Sequence, residues 1–210
     1  MKNQHEIDAL IIESLAEIEQ ANARIEGPIK EELERETAKL LREVTRETGW
    51  YCKADSLDDD FWMAKPSWKL KKGEPDHKAD HLLFAALDWD STRKDVSWIG
   101  QFVGSQGSRL LLKLDTDKFS NKRWAQFLEE SPAWPIVQEL GDCGLRLDQN
   151  NPDEPFAVPV TLDPRKVASA FAREVRFEDA FEPLVKTLRG IIAKEELLDE
   201  LAEIVRRARS

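Results

Sequence analysis

Two pairs of aspartates, each pair separated by one residue, are the strongest candidates for chemistry in this sequence. They are Asp88 with Asp90 and Asp115 with Asp117. Residues two apart on a strand point to the same face of a sheet, so each pair would present two carboxylates together. Carboxylates in such positions are typical ligands of Mg²⁺ or Mn²⁺, and they would suit a metal-dependent hydrolase, a nuclease in particular.

The predicted strands argue against a shared ion. A strand predicted at 96–103 separates the two pairs, which would place them about 10 Å apart at roughly 4.8 Å per strand. A restriction-type nuclease also needs an acidic residue and a lysine two positions apart on one strand, whereas Lys118 lies one residue after Asp117 and three after Asp115. Solvated aspartates beside turns are therefore the favoured interpretation, and metal catalysis is the alternative.

A second candidate metal site consists of His77 and His81. On a helix these residues would share one face, and Asp76 and Asp80 lie beside them. The segment lacks the glutamate of an HExxH motif and directly precedes the most apolar predicted strand, so a solvated loop is favoured. Glycines 100, 104 and 107 lead into a strand and not a helix, which excludes a P-loop. We expect no metal and no cofactor.

The charge balance disfavours direct nucleic-acid binding. The 210 residues include 41 acidic and 31 basic side chains, a net charge of −10, and no block of Lys or Arg is long enough to follow a phosphate backbone. The acidic run containing Asp58, Asp59 and Asp60 could instead mimic phosphates toward a nucleic-acid-binding protein. An acidic inhibitor of such a protein is therefore another alternative, against a simple solvated surface.

The cysteine count and the hydropathy pattern indicate a cytoplasmic protein. Cys52 and Cys143 are far apart and form no CxxC motif, as expected for reduced thiols. The first eight residues are polar and acidic, and no run of about 18 apolar residues occurs, so we expect neither a secretory leader nor a membrane span.

The first 48 residues predict two amphipathic helices. Apolar residues recur at three- and four-residue spacings over 6–26, and again from Ile29 to Val44, with Gly27-Pro28 between them and Gly49 at the end. We expect a helical hairpin that buries its stripes internally and then against the rest of the chain or a second copy. A homodimer through residues 6–48 is one such arrangement.

From residue 49 the pattern changes to aromatic and β-branched residues with frequent turns. Strands at 81–90, 96–103 and 109–115 would form an antiparallel meander, and shorter strands are predicted nearby. Helices follow from Asp163, which caps a helix beginning with Pro164. The prediction is an α+β fold with a hairpin at 1–48 and a domain at 49–210 that holds the central antiparallel sheet and C-terminal helices.

All seven tryptophans lie between residues 50 and 134. Trp89, Trp98 and Trp124 lie on predicted strands or an apolar helical stripe, which favours the core. Trp62, Trp68 and Trp134 lie beside proline or in irregular stretches, so they are candidate partner-binding residues. Together these observations predict a non-enzymatic, cytosolic protein that binds another protein.

Overall fold

A computed structural model describes residues 4–55, 61–70, 77–89, 96–105, 109–148 and 155–208. It confirms an α+β fold with helical N- and C-terminal parts around an antiparallel sheet. The α-helices are α1 (Gln4–Glu13), α2 (Leu15–Arg24), α3 (Lys30–Thr48), α4 (Trp98–Phe102), α5 (Asn121–Glu129), α6 (Ala133–Leu140), α7 (Pro164–Phe171), α8 (Phe177–Ala180), α9 (Glu182–Ile192) and α10 (Glu195–Ala208). The strands are β1 (Tyr51–Lys53), β2 (Trp62–Ala64), β3 (Phe84–Trp89), β4 (Leu110–Asp115), β5 (Arg146–Leu147) and β6 (Phe156–Val160).

The sheet follows the order of the chain through its first four strands. The spatial order is β1-β2-β3-β4-β6-β5, and every neighbouring pair is antiparallel. β6 therefore lies between β4 and β5, and β5 is an edge strand. β3 and β4 are direct neighbours, with Ala86 opposite Lys113 and Phe84 opposite Asp115.

The strand predicted at 96–103 is wrong, because this segment contains helix α4. The Ser97 hydroxyl accepts a hydrogen bond from the Gly100 N–H at 3.3 Å, which is an N-cap interaction that starts a helical turn. The apparent alternation of Val96, Trp98, Gly100 and Phe102 did not reflect a strand. Consequently nothing from 96–103 separates β3 from β4.

The predicted N-terminal hairpin is also wrong, because α2 continues into α3. A π-helical turn, Ile25–Ile29, joins them, and the backbone stays in the right-handed helical region at both of its ends. Pro28 has no N–H and its ring conflicts with α-helical packing one turn back, and the wider π turn accommodates this defect without reversing the chain. α1 and α2 are likewise continuous, since Ile18 N donates to Ser14 O at 3.0 Å and Ser14 N donates to Leu10 O at 3.0 Å.

α3 belongs to the same hydrophobic core as the sheet. Its buried residues include Leu33, Leu40, Leu41 and Val44, which join one cluster with the sheet and the C-terminal helices. α3 contacts β1 and α9, and α9 contacts β6. The change from exposed to packed helix therefore falls at the π turn and not at Gly49.

Among the helices that the structure describes, none is both long and apolar enough to cross a membrane.

Candidate protein-binding surface

The first 21 described residues form a helical arm, defined here as residues 4–24, in which no residue is buried. Six large apolar side chains of the arm expose between 38% and 70% of their surface. They are Ile7, Leu10, Ile11, Ile12, Leu15 and Ile18. All except Ile12 lie on one side of the helix at 100° per residue, and we call this side, with Ile25, the apolar stripe.

The π turn aligns the apolar stripe with the buried face of α3. At about 100° per residue, an uninterrupted α-helix would place the stripe roughly a quarter turn away from Leu33, Leu40 and Val44. A π turn holds one residue more than an α turn, which rotates the arm by about 100° and restores the alignment. The four-residue spacing of Ile25, Ile29 and Leu33 across Gly27-Pro28 was a signal in the sequence for this continuity.

Carboxylates line both sides of the apolar stripe. Helical geometry places one set along one edge and a second set along the other. The first set is Glu6, Glu13 and Glu17, and the second is Asp8, Glu19 and Glu26. Arg24 is the one Lys or Arg in residues 4–26, so six acidic residues against one arginine give this segment a net charge of −5.

Trp98 braces the base of the arm. Its indole Nε1 donates to Glu26 Oε1 at 2.8 Å, and Lys30 Nζ lies 5.8 Å from the centroid of the indole ring. A carboxylate and an ammonium on the helix thus both bind one aromatic side chain of α4. The prediction that Trp98 lies on a central strand is corrected here: it is half-buried on a short helix and holds the arm.

A groove of about 850 Å³ opens where the arm meets the C-terminal helices. Its apolar lining includes Pro28, Ile29, Phe171 and Val175, and all of these except Ile29 are exposed. Its charged side chains are largely paired. The pairs are Arg35 with Glu32 and Glu36, and Arg176 with Asp179. Arg24 and Arg173 line the groove as well, so apolar and charged side chains are mixed in it.

Of the three tryptophans predicted to bind a partner, only Trp134 is exposed, at 40%. Trp62 and Trp68 are 3% and 2% exposed, so neither presents its ring to a partner in this structure. Trp68 Nε1 donates to Asp199 Oδ1 at 2.7 Å, and Asp199 Oδ2 lies 2.6 Å from Lys65 Nζ. This contact with α10 joins residues 131 positions apart, which explains why the local sequence did not show that Trp68 is buried.

Trp124 is fully buried as predicted, and its Nε1 donates to Leu114 O at 3.2 Å. Trp89 ends β3.

The structure brings Asp88 and Asp115 together around a lysine. Lys113 Nζ lies 2.5 Å from Asp88 Oδ2 and 3.6 Å from Asp115 Oδ2. The predicted intervening strand was wrong, because β3 and β4 are direct antiparallel neighbours. Asp115 lies opposite Phe84 and Asp88 lies opposite Leu111, so the two carboxylates approach Lys113 from opposite sides. The sequence reasoning also overlooked Lys113, which lies two positions before Asp115 on the same strand.

Burial raises the pKa of Asp115, and the ammonium group of Lys113 partly opposes this shift. Asp115 Oδ1 also accepts a hydrogen bond from Thr116 N at 2.7 Å. A divalent ion would have to displace the Lys113 ammonium to use both carboxylates. The geometry is that of a largely buried ion-pair group on a sheet face. Asp117 is exposed after the strand, and Asp90 lies outside the described residues.

His77 and His81 do not share a helical face. His77 precedes a short 3₁₀ turn, Lys78–Asp80, and its Nδ1 accepts from Ala79 N at 3.2 Å. His81 is buried beside Trp62, with ring centroids 5.3 Å apart. In the described parts of the chain, no three His, Cys, Asp or Glu residues are grouped to hold a metal.

Both cysteines are free thiols, and burial raises the pKa of Cys143. A thiol whose pKa is raised is a poorer nucleophile at neutral pH, which fits a structural role for Cys143. The acidic run with Asp58, Asp59 and Asp60 lies outside the described residues.

Comparison of the chain with protein-family models, with curated proteins and with solved structures gives no match.

Proposed function

We propose that this protein is a non-enzymatic, cytosolic protein-binding module whose contact surface is the apolar stripe of the N-terminal arm. The observation that carries the proposal is that residues 4–24 bury no side chain, although Ile7, Ile11 and Ile18 lie on one face. Contiguous apolar surface on a protein is typical of an interaction site. The two free cysteines support a reducing compartment.

The marginal stability of an isolated helix of this length supports stabilisation of the arm by a partner. An isolated helix of about 20 residues is marginal in water, because most helical stability in proteins comes from packing of an apolar face. The arm gains support at its base from Trp98 and from continuity with α3, but neither covers the stripe. A bound protein surface would supply the missing packing.

The group of Asp88, Lys113 and Asp115 on the sheet supports an enzymatic function less well than the arm supports protein binding. Asp88 and Asp115 are held by Lys113, which neutralises part of the charge that a metal ion would require. Lys113 and Asp115 do have the two-residue spacing that a restriction-type nuclease needs, but in the described residues no third His, Cys, Asp or Glu groups with Asp88 and Asp115 to hold a metal ion.

Site-specific photo-crosslinking in cells tests the proposal. A photo-reactive residue at Ile11 or Ile18 should form covalent adducts with a partner, and the same residue at Ala9 or Ala16 should not. Ala9 and Ala16 are exposed on the opposite face of the same helix, so they are matched controls for accessibility. Equal adduct yields from the two faces, or no adduct from either, would contradict the proposal.

A further inference from the structure

The spacing of residues along the apolar stripe indicates what kind of partner surface covers it. Within the stripe and the residues between its members, Ile7, Ile11, Ser14, Ile18, Ala21 and Ile25 follow one another at alternating intervals of four and three residues. This is the spacing of a coiled-coil seam, with isoleucine at four of the six positions, and it allows the side chains of a second helix to fit as knobs into holes. The stripe from Ile7 to Ile25 is about 27 Å long at 1.5 Å per residue, enough for a partner helix of about 20 residues.

Charge then specifies the partner. The positions directly beside the seam hold Asp8 on one side and Glu17 on the other, and four further carboxylates lie one position farther out. Arg24 is the one basic residue beside the seam, and the segment 4–26 keeps its net charge of −5. Lys and Arg on a helix that lies on the stripe would be attracted to this acidic segment, whereas acidic side chains would add repulsion.

We infer that the apolar stripe of the arm binds a cationic amphipathic helix of another protein, with Lys or Arg on both sides of its apolar face. This inference rests on the proposed function and specifies the chemistry of its partner.

A second copy of this chain fits the stripe less well. Two copies of a segment that carries a net charge of −5 repel one another in either orientation. Parallel pairing meets a further obstacle, because the core of each protomer lies on the stripe side from Leu33 onward and would block the other helix. An anionic membrane would be repelled by the same carboxylates.

Two designed peptides test the inference on the full-length protein. Both have about 21 residues and leucine at the seam positions, and one carries Lys at every flanking position where the other carries Glu. We expect the Lys-flanked peptide to bind at least tenfold more tightly by calorimetry at low salt. Equal binding, or tighter binding of the Glu-flanked peptide, would overturn the inference.

A charge-reversed protein sharpens the test. The variant Asp8→Lys, Glu17→Lys should prefer the Glu-flanked peptide, and its circular dichroism should match the wild type because neither of these side chains is buried. An unchanged preference for the Lys-flanked peptide would show that the edges of the stripe do not select the partner, which contradicts the inference.

The double variant Ile11→Asp, Ile18→Asp separates the inference from the proposed function. It should abolish binding of the Lys-flanked peptide, and the control Ala9→Asp, Ala16→Asp adds the same charge to the opposite face and should retain binding. Equal binding by the two double variants would overturn the inference, because the stripe would not contribute.

Light scattering of the wild type completes the test. A monomer is expected. A dimer that dissociates in the Ile11→Asp, Ile18→Asp variant would assign the stripe to a second copy, which overturns the inference and preserves the proposed function. Photo-adducts specific to Ile11, without binding of the Lys-flanked peptide, would likewise overturn the inference and preserve the proposed function. Loss of adducts, peptide binding and self-association together would remove both.

Discussion

Folding opposes the ionisation of Asp115. Its carboxyl lies almost fully buried at the end of β4, and burial raises its pKa above the ordinary value of about 3.9. The folded chain therefore holds this proton more tightly than the unfolded chain does. Its contribution to stability is most favourable below the ordinary pKa and is lost as pH rises through the raised pKa.

We predict that Asp115→Asn gains stability relative to the wild type as pH rises from about 4 toward neutrality. The asparagine oxygen can still accept from Thr116 N, and Lys113 keeps Asp88 as its partner. Urea denaturation between pH 3.5 and 8 measures the difference in free energy of unfolding. Asp117→Asn controls for removal of a neighbouring negative charge, and a difference that falls with rising pH would contradict the prediction.

The buried tryptophans show which contacts the local sequence can predict and which it cannot. The burial of Trp124 was predictable because Phe127 and Leu128 repeat on the same helical side. The burial of Trp68 was not, because its partner Asp199 lies on the last helix. A tryptophan beside a proline gives no local sign of such a distant acceptor. The Asp88–Lys113 contact was missed for a related reason, since it depends on which strands are neighbours.

At the scale of elements, the π turn determines the direction in which the arm presents its stripe. The α+β class and the positions of several helices were predictable from periodicity and helix caps. One such cap is Asp163 before Pro164, because the Asp163 side chain accepts a hydrogen bond from Arg165 N at 2.8 Å. Gly27-Pro28 was ambiguous, because the same dipeptide can end a helix or distort it. The four-residue spacing of apolar residues across the dipeptide indicated a continuous helix, but the end of a helix is the more common expectation for Gly-Pro.

Deletion of Gly27 should convert the π turn into an α-helical turn and rotate the arm by about 100° relative to α3. Gly27 has no neighbour within 4 Å of an added Cβ, and α3 keeps its packing, so the thermal unfolding midpoint should change little. We expect photo-crosslinking from Ile11 to decrease because the stripe no longer aligns with the buried face of α3.

A matched control for this deletion is Gly27→Ala, which keeps the residue count and therefore the rotation. It should crosslink from Ile11 as the wild type does. Unchanged crosslinking in the deletion variant, with helical content retained by circular dichroism, would show that the alignment of the stripe with α3 is not needed for binding.

At the scale of the whole molecule, charge is distributed unevenly. The segment 4–26 carries −5 of the chain's net −10 in 23 residues, so the arm is more acidic than the rest of the chain. An extended acidic element of this kind would attract a cationic partner over distances comparable to the screening length, which is about 10 Å at 0.1 M salt.

We therefore predict that affinity for the Lys-flanked peptide falls more than tenfold between about 0.1 M and 1 M NaCl, where the screening length shortens to about 3 Å. A peptide with the same leucine seam and Gln at the flanking positions is the control. Its affinity should hold or increase with salt, because apolar contacts are not screened. A parallel salt response of the two peptides in calorimetry would contradict the prediction.

The strand order of the sheet has a consequence for how the chain assembles. β1 to β4 pair with neighbours in sequence, so the sheet can grow one hairpin or crossover at a time along this part of the chain. β5 cannot join in turn, since its one strand partner among the described residues is β6, which follows it in the chain. β5 can therefore enter the sheet only at its edge, after β6 pairs with β4. Amide hydrogens of β5 should accordingly be among the last in the sheet to gain protection during refolding.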